Sequence, residues 1–240
     1  MSFDSNNRWS ASANTAIPQV GIDVGLRNYM LRVYNYMAGA LIVTGLVAFF
    51  SQGFVLQLEQ QRSPLMYVLI FAPLAFVLAL SFGIQRMSLG AAQATFWGYA
   101  AVMGLSMSTI FLVYTGASIA QVFFITAATF LAMSLYGYTT KTDLAKFGSF
   151  LFMGLIGVVI ASVVNIFVGS SALQFAISVI GVLVFTGLTA WDTQQIKEMY
   201  WEGDSTAVAG KKSIMGALRL YLDFINLFLM LMQLMGNRRN

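Results

Sequence analysis

The chain has 240 residues, of which 58% are hydrophobic and only 9% charged, and its mean hydropathy is +0.76. A soluble domain carries about 25% charged residues, so this composition marks a polytopic membrane protein. The excess of 13 basic over 9 acidic residues gives a formal charge of +4, and this small surplus reads as membrane topology, not nucleic-acid affinity. Cysteine and histidine are both absent, which removes disulfides, thiol nucleophiles, imidazole bases and the common zinc sites. Any chemistry must use carboxylates, hydroxyls, amides, Arg or Lys.

Residues 1–25 are polar and rich in Ser and Asn, and they lack the apolar core of a cleaved signal peptide. They read as a disordered tail in which Trp9 and Arg8 are solvated, and residues 26–240 as one membrane domain. The charges then cut the chain into uncharged runs, two of them long enough for two spans at about 20 residues per crossing. Thr115-Gly116-Ala117-Ser118 and Gly169-Ser170-Ser171 supply the turns that divide these long runs. The predicted spans are 34–56, 64–84, 91–114, 119–138, 147–168, 173–196 and 214–235, an all-α fold of seven transmembrane helices.

Ser63-Pro64 suits the start of the second span, and Pro73 within it is expected to kink it. In the third span Ala100, Gly104 and Ser108 lie four apart, a spacing that lets a neighbouring helix approach closely. Asn165, Gln93, Gln174 and Gln233 are intramembrane amides that interhelical hydrogen bonds explain. Tyr138, Tyr200, Trp191 and Trp201 fit an interfacial aromatic belt.

Counting cations by side sets the orientation. With the N-terminus cytoplasmic, the inner side holds Arg8, Arg27, Arg32, Arg86, Lys141, Lys146, Lys197, Lys211, Lys212 and Arg219; the outer side holds only Arg62, Arg238 and Arg239. The last two run against the rule, as they would not if the final segment turned back. Yet 214–235 is long enough to cross and has no central Gly or Pro to turn it.

Two residues stand out against this hydrocarbon. Asp192 lies within the sixth span and Asp223 within the seventh, and a carboxylate at mid-membrane costs about 3 kcal/mol or more unless it faces a partner or water. Asp192 precedes Lys197 by five residues, and Asp223 follows Lys212 by eleven, so the helical rise brings both to the inner third of the membrane. On antiparallel neighbours they can meet. Two carboxylates at low dielectric do not both ionise cheaply, so a meeting pair shares a proton and senses pH without histidine. Deprotonated, the pair also offers the hard oxygen ligands calcium takes. Thr189 and Asn226 lie on the same helical faces and can line the site. The plainer alternative pairs Asp223 with Arg219, four residues earlier, and leaves Asp192 reaching the headgroups beside Lys197.

Enzymatic readings fit poorly. A Ser-His intramembrane protease is excluded by the missing histidine. An aspartyl intramembrane protease uses two aspartates, one in a GxGD motif, which neither the Asp192 nor the Asp223 segment supplies. No lysine lies at mid-membrane for a retinal Schiff base. The chain is therefore expected not to be an enzyme and to need no cofactor; a proton-coupled transporter remains a further possibility.

The segments SLYGYTTKTDLAKFG, ASVVNIF, GLTAWDTQQIK and LYLDFINLFLMLMQLMGNRR resemble the bacterial members of the Bax inhibitor-1, or transmembrane Bax inhibitor motif, family. The similarity runs from about Val24 to Arg239. It implies seven helices with the last one central, and a pH-sensitive calcium leak governed by an aspartate pair that maps onto Asp192 and Asp223. Members without these aspartates exist, so their presence points to the calcium-leak branch, with calcium as permeant ion and Asp192 and Asp223 as its ligands. A second-helix arginine locks the pair in the family, and Arg86 is the candidate here. The resemblance further implies a multi-pass protein of the bacterial inner membrane. Some bacterial relatives instead modulate a membrane-bound AAA protease, a role that needs only a docking surface.

Overall fold

The computed structural model describes residues 23–239; the expected tail with Arg8 and Trp9 lies almost wholly outside the described residues. Nine helices form among them: α1 Val24–Phe50, α2 Gln52–Gln60, α3 Leu65–Gly83, α4 Leu89–Met107, α5 Thr109–Val113, α6 Gly116–Thr139, α7 Ala145–Val168, α8 Ser171–Glu198 and α9 Thr206–Met235. Counting α4 and α5 as one, seven helical segments are long and apolar enough to cross a bilayer.

Local chemistry sets their ends. Asp23, Ser88, Thr115, Ser170 and Ser205 each precede a helix and accept a hydrogen bond from the backbone N–H three residues on, which satisfies a donor the helix cannot. Gly169 closes α7 with φ of 63°, a left-handed turn in which a side chain is strained. α3 runs on through Pro73.

Three spans differ from the sequence expectation. α1 begins at Val24, not residue 34, and ends at Phe50, not residue 56; after Ser51, α2 is a separate short helix. α9 begins at Thr206, not residue 214. The third span is divided at Ser108, whose hydroxyl turns back to the Leu105 carbonyl at 2.6 Å. Charged residues mark where the bilayer ends, but a capped helix can run past that point, so spans delimited by charge begin too late at α1 and α9.

The loops sort onto two faces. On one, the Tyr29 and Tyr200 rings lie 5.7 Å apart, Lys211 donates to the Gln85 carbonyl at 3.2 Å, and Lys197 donates to the Tyr138 carbonyl at 2.9 Å. These contacts join the start of α1, the α3–α4 turn, the end of α6 and the α8–α9 loop. On the opposite face Tyr114 pairs in antiparallel fashion with Arg238, with Thr115 N–H donating to Asn237 O at 3.0 Å and Arg239 N–H to Val113 O at 2.9 Å. α9 therefore crosses the whole bundle, and Arg238 and Arg239 lie at the end away from the start of α1.

α9 is the central helix. It packs against α1, α4, α6 and α8, and 67% of its most apolar window is buried, against 11% for α3 and α7. The small-residue stripe on α4 meets α1: Thr44 Oγ1 donates to the Ala100 carbonyl at 2.9 Å, and a Cβ on Gly104 would lie 2.7 Å from the Thr44 carbonyl oxygen. Gly137 of α6 rests directly on the Ala190 backbone of α8.

Candidate functional site

α8 and α9 form the broadest antiparallel pair in the bundle, and their register fixes the depth of the acids. Ile196 packs opposite Gly216, Gly181 opposite Met230, and Ser178 Oγ donates to Gln233 Oε1 at 2.8 Å. This register puts Arg219 level with Asp192, and Asp223 one turn deeper, level with Thr189. The two carboxyl groups are nonetheless close enough to influence each other across the helix pair.

Their surroundings differ. Asp223 is 5% exposed, and its Oδ2 is buried without a hydrogen-bond partner among the described residues. The Asp192 side chain is 13% exposed, and its Oδ1 lies 3.9 Å from Nη1 of Arg219, whose side chain is 43% exposed. Arg219 thus reaches across to α8, and the in-helix pair between Arg219 and Asp223 does not form. At 3.9 Å this is an ion pair without a hydrogen bond. A buried carboxyl oxygen lacking a partner costs about 1–3 kcal/mol, and such a group in an otherwise satisfied core calls for a proton, a water or an ion.

The remaining sequence candidates fall in three places. Thr189 is fully buried and donates to the Phe185 carbonyl at 2.8 Å, while Asn226 donates to the Leu222 carbonyl at 2.8 Å; each turns its donor onto its own helix. Arg86 lies exposed in the α3–α4 turn and forms no ion pair among the described residues.

Four polar residues beside the pair had no role in the sequence reading. Ser134 Oγ of α6 bonds both Tyr34 OH of α1 at 2.5 Å and Thr193 Oγ1 of α8 at 3.0 Å, and Thr193 donates on to the Thr189 carbonyl at 2.7 Å. This hydroxyl thread runs from the α1–α6 cleft to the segment carrying Asp192. Gln194 clasps the α6–α7 turn, accepting from Leu144 N–H at 2.8 Å and donating to the Thr142 carbonyl at 2.9 Å. Thr193 and Gln194 directly follow Asp192, and the four polar residues in a row from Asp192 to Gln195 on an apolar helix were the available signal; nothing local marks Tyr34 or Ser134. Above the pair, Tyr221 OH bonds Thr44 Oγ1 at 2.7 Å, tying α9 to α1. The amides behave as expected: Asn165 donates to Gln174 at 3.0 Å, Gln174 to Gln233, and Gln93 to Tyr36 OH at 2.6 Å.

Seven apolar helical segments with the last at the centre are the arrangement the motifs implied. A family model described as "Inhibitor of apoptosis-promoting Bax1" matches residues 26–240. The chain belongs to the Bax inhibitor family. Among relatives, the uncharacterized protein RP147 of Rickettsia prowazekii is 53% identical over 91% of this chain and 93% of its own length. The inner membrane protein YbhL of Escherichia coli strain K12 is 51% identical over 90% of this chain and 94% of its own. An uncharacterized membrane protein of Streptococcus pyogenes is 36% identical over 89% and 94% respectively. The Bax inhibitor family match thus spans all seven candidate membrane helices.

Proposed function

We propose that the protein is a pH-sensitive, calcium-permeable leak channel of the bacterial inner membrane, with its N-terminus cytoplasmic and Asp192 and Asp223 as the proton-sharing gate. The observation that carries this reading is the unpartnered Oδ2 of Asp223, held in the middle of the central helix beside a second carboxyl. Two acids and one base meet here. Arg219 balances one carboxylate, and the remaining proton is exchangeable between the two acids. A protonated pair can bind α8 to α9; a doubly ionised pair repels and presents oxygen ligands to a divalent cation, the permeant substrate. Two carboxylates are far short of the six to eight oxygens of a storage site, which suits an ion that must leave again.

The inner membrane location is taken from the name of the Escherichia coli relative, and the orientation from the cations gathered at the α1 end. The lock is assigned to Arg219, which lies beside the pair, in preference to Arg86, which does not. The test is calcium flux into vesicles holding purified protein, measured across pH. Wild type should give a pH-dependent leak, and Asp192→Ala/Asp223→Ala should lose that dependence. A double variant with an unchanged pH profile would sink the gate; flux no greater than in protein-free vesicles would turn attention to regulation of a membrane protease.

A further inference from the structure

The bundle has an open seam between α1 and α6. α1 and α6 flank the central helix but scarcely touch each other, meeting through the Tyr34–Ser134 hydroxyl bond. Towards the α1 N-terminus the seam widens into a cleft of about 450 Å³, lined by Arg27, Met30, Leu31 and Tyr34 of α1 and by Leu131, Ser134, Leu135 and Tyr138 of α6. Its volume lies within the range of small-molecule sites.

Polarity is graded along the cleft as it is along a phospholipid. Arg27 sits in the first turn of α1 and Tyr138 in the last turn of α6, both at the mouth. From Arg27 to Tyr34 the helix rises about 10 Å, less than one leaflet's hydrocarbon depth of about 15 Å. Leu31, Leu131 and Leu135 form the bilayer-facing lips and are 47–64% exposed. Charge at the mouth is positive: Arg27 forms no ion pair among the described residues, and Lys197 Nζ lies 5.2 Å from the Tyr138 ring centre. The nearest acid along α1, Asp23, is engaged at the helix N-cap, and no acidic residue lines the cleft among the described residues.

We propose that this α1–α6 cleft is a binding site for one anionic phospholipid of the leaflet on the α1 N-terminal side, with its phosphate on Arg27 and an acyl chain between the leucine lips. Tyr34 and Ser134, on the cleft wall, also begin the hydroxyl thread to Thr193, so an occupied cleft is linked to the α8 segment that carries Asp192. The site needs no ion conduction, and its test is of binding alone.

Delipidated full-length protein would be titrated with phosphatidylglycerol, phosphatidylcholine or glycerol 3-phosphate and read by native mass spectrometry. One tightly held phosphatidylglycerol is expected, with phosphatidylcholine weaker and glycerol 3-phosphate no competitor. Arg27→Gln should weaken retention about tenfold, as expected for losing a charge-assisted contact. Leu135→Trp should fill the cleft and displace the lipid while keeping Arg27, and both variants should keep their seven-helix circular dichroism. The proposal falls if Arg27→Gln and Leu135→Trp retain the lipid as wild type does, if glycerol 3-phosphate competes fully, or if Leu135→Trp breaks a dimer without releasing lipid.

Discussion

α3 and α9 are both membrane helices, yet they make opposite use of the bilayer. α3 has the higher mean hydropathy and buries only 11% of its apolar window in protein, whereas α9 has the lower and buries 67%. Lipid is as apolar as leucine, so no hydrophobic force draws α3 inward, and its outer residues Phe71 and Phe82 remain exposed. α9 is placed at the centre by what lipid rejects: Asp223, Tyr221 and Asn226, and the small residues Gly210, Gly216 and Ala217 that admit neighbours. Between these two helices, the more apolar one meets lipid and the one carrying buried polar groups meets protein.

That contrast can be broken where backbones touch. Gly137→Val would drive a side chain into the Ala190 carbonyl, where the neighbour is backbone and cannot give way. A loss of about 3 kcal/mol or more is expected, read as a large fall in the thermal midpoint in detergent. Wild-type stability in this variant would mean that α6 and α8 are not in backbone contact.

At the acid pair the effect should be smaller and appear in function. Arg219→Ala is expected to displace the midpoint of the flux–pH profile by about one unit, about 1.4 kcal/mol, while Arg86→Ala leaves it in place. If the two variants exchanged these outcomes, the lock would belong to the second span. Tyr221→Phe removes the hydroxyl bonded to Thr44 and should cost about 0.6 kcal/mol, the average for an interhelical hydrogen bond within a membrane, because Thr44 keeps its bond to the Ala100 carbonyl. Phe71→Leu, on the lipid face of α3, should fall within about 0.5 kcal/mol of wild type in the same thermal assay. A larger loss there would reveal a partner on that face.

The sequence carried the fold further than the site. Its uncharged runs, turn segments and small-residue stripe placed the crossings and the close-packing side of α4, because each is a local property. Boundaries failed where capped helices ran past the charged residues, at Val24 and Thr206. Asp192 and Asp223 were legible one by one, since an acid in hydrocarbon is conspicuous in any window. Their partners were not: the sequence allowed Arg219 an in-helix bond to Asp223, and only the α8–α9 register aims it at Asp192.

What the amino-acid sequence determined by itself was a seven-span membrane protein of the Bax inhibitor family with two carboxyls in its interior, because composition, span length and motif identity need no knowledge of neighbours. What the tertiary structure decided was the one-turn offset between the acids, the hydroxyl thread from Tyr34 to Thr193, and the cleft between α1 and α6. These depend on how helices of similar hydropathy rotate and slide against one another, and close packing and interhelical hydrogen bonds set that arrangement only once all the partners are present.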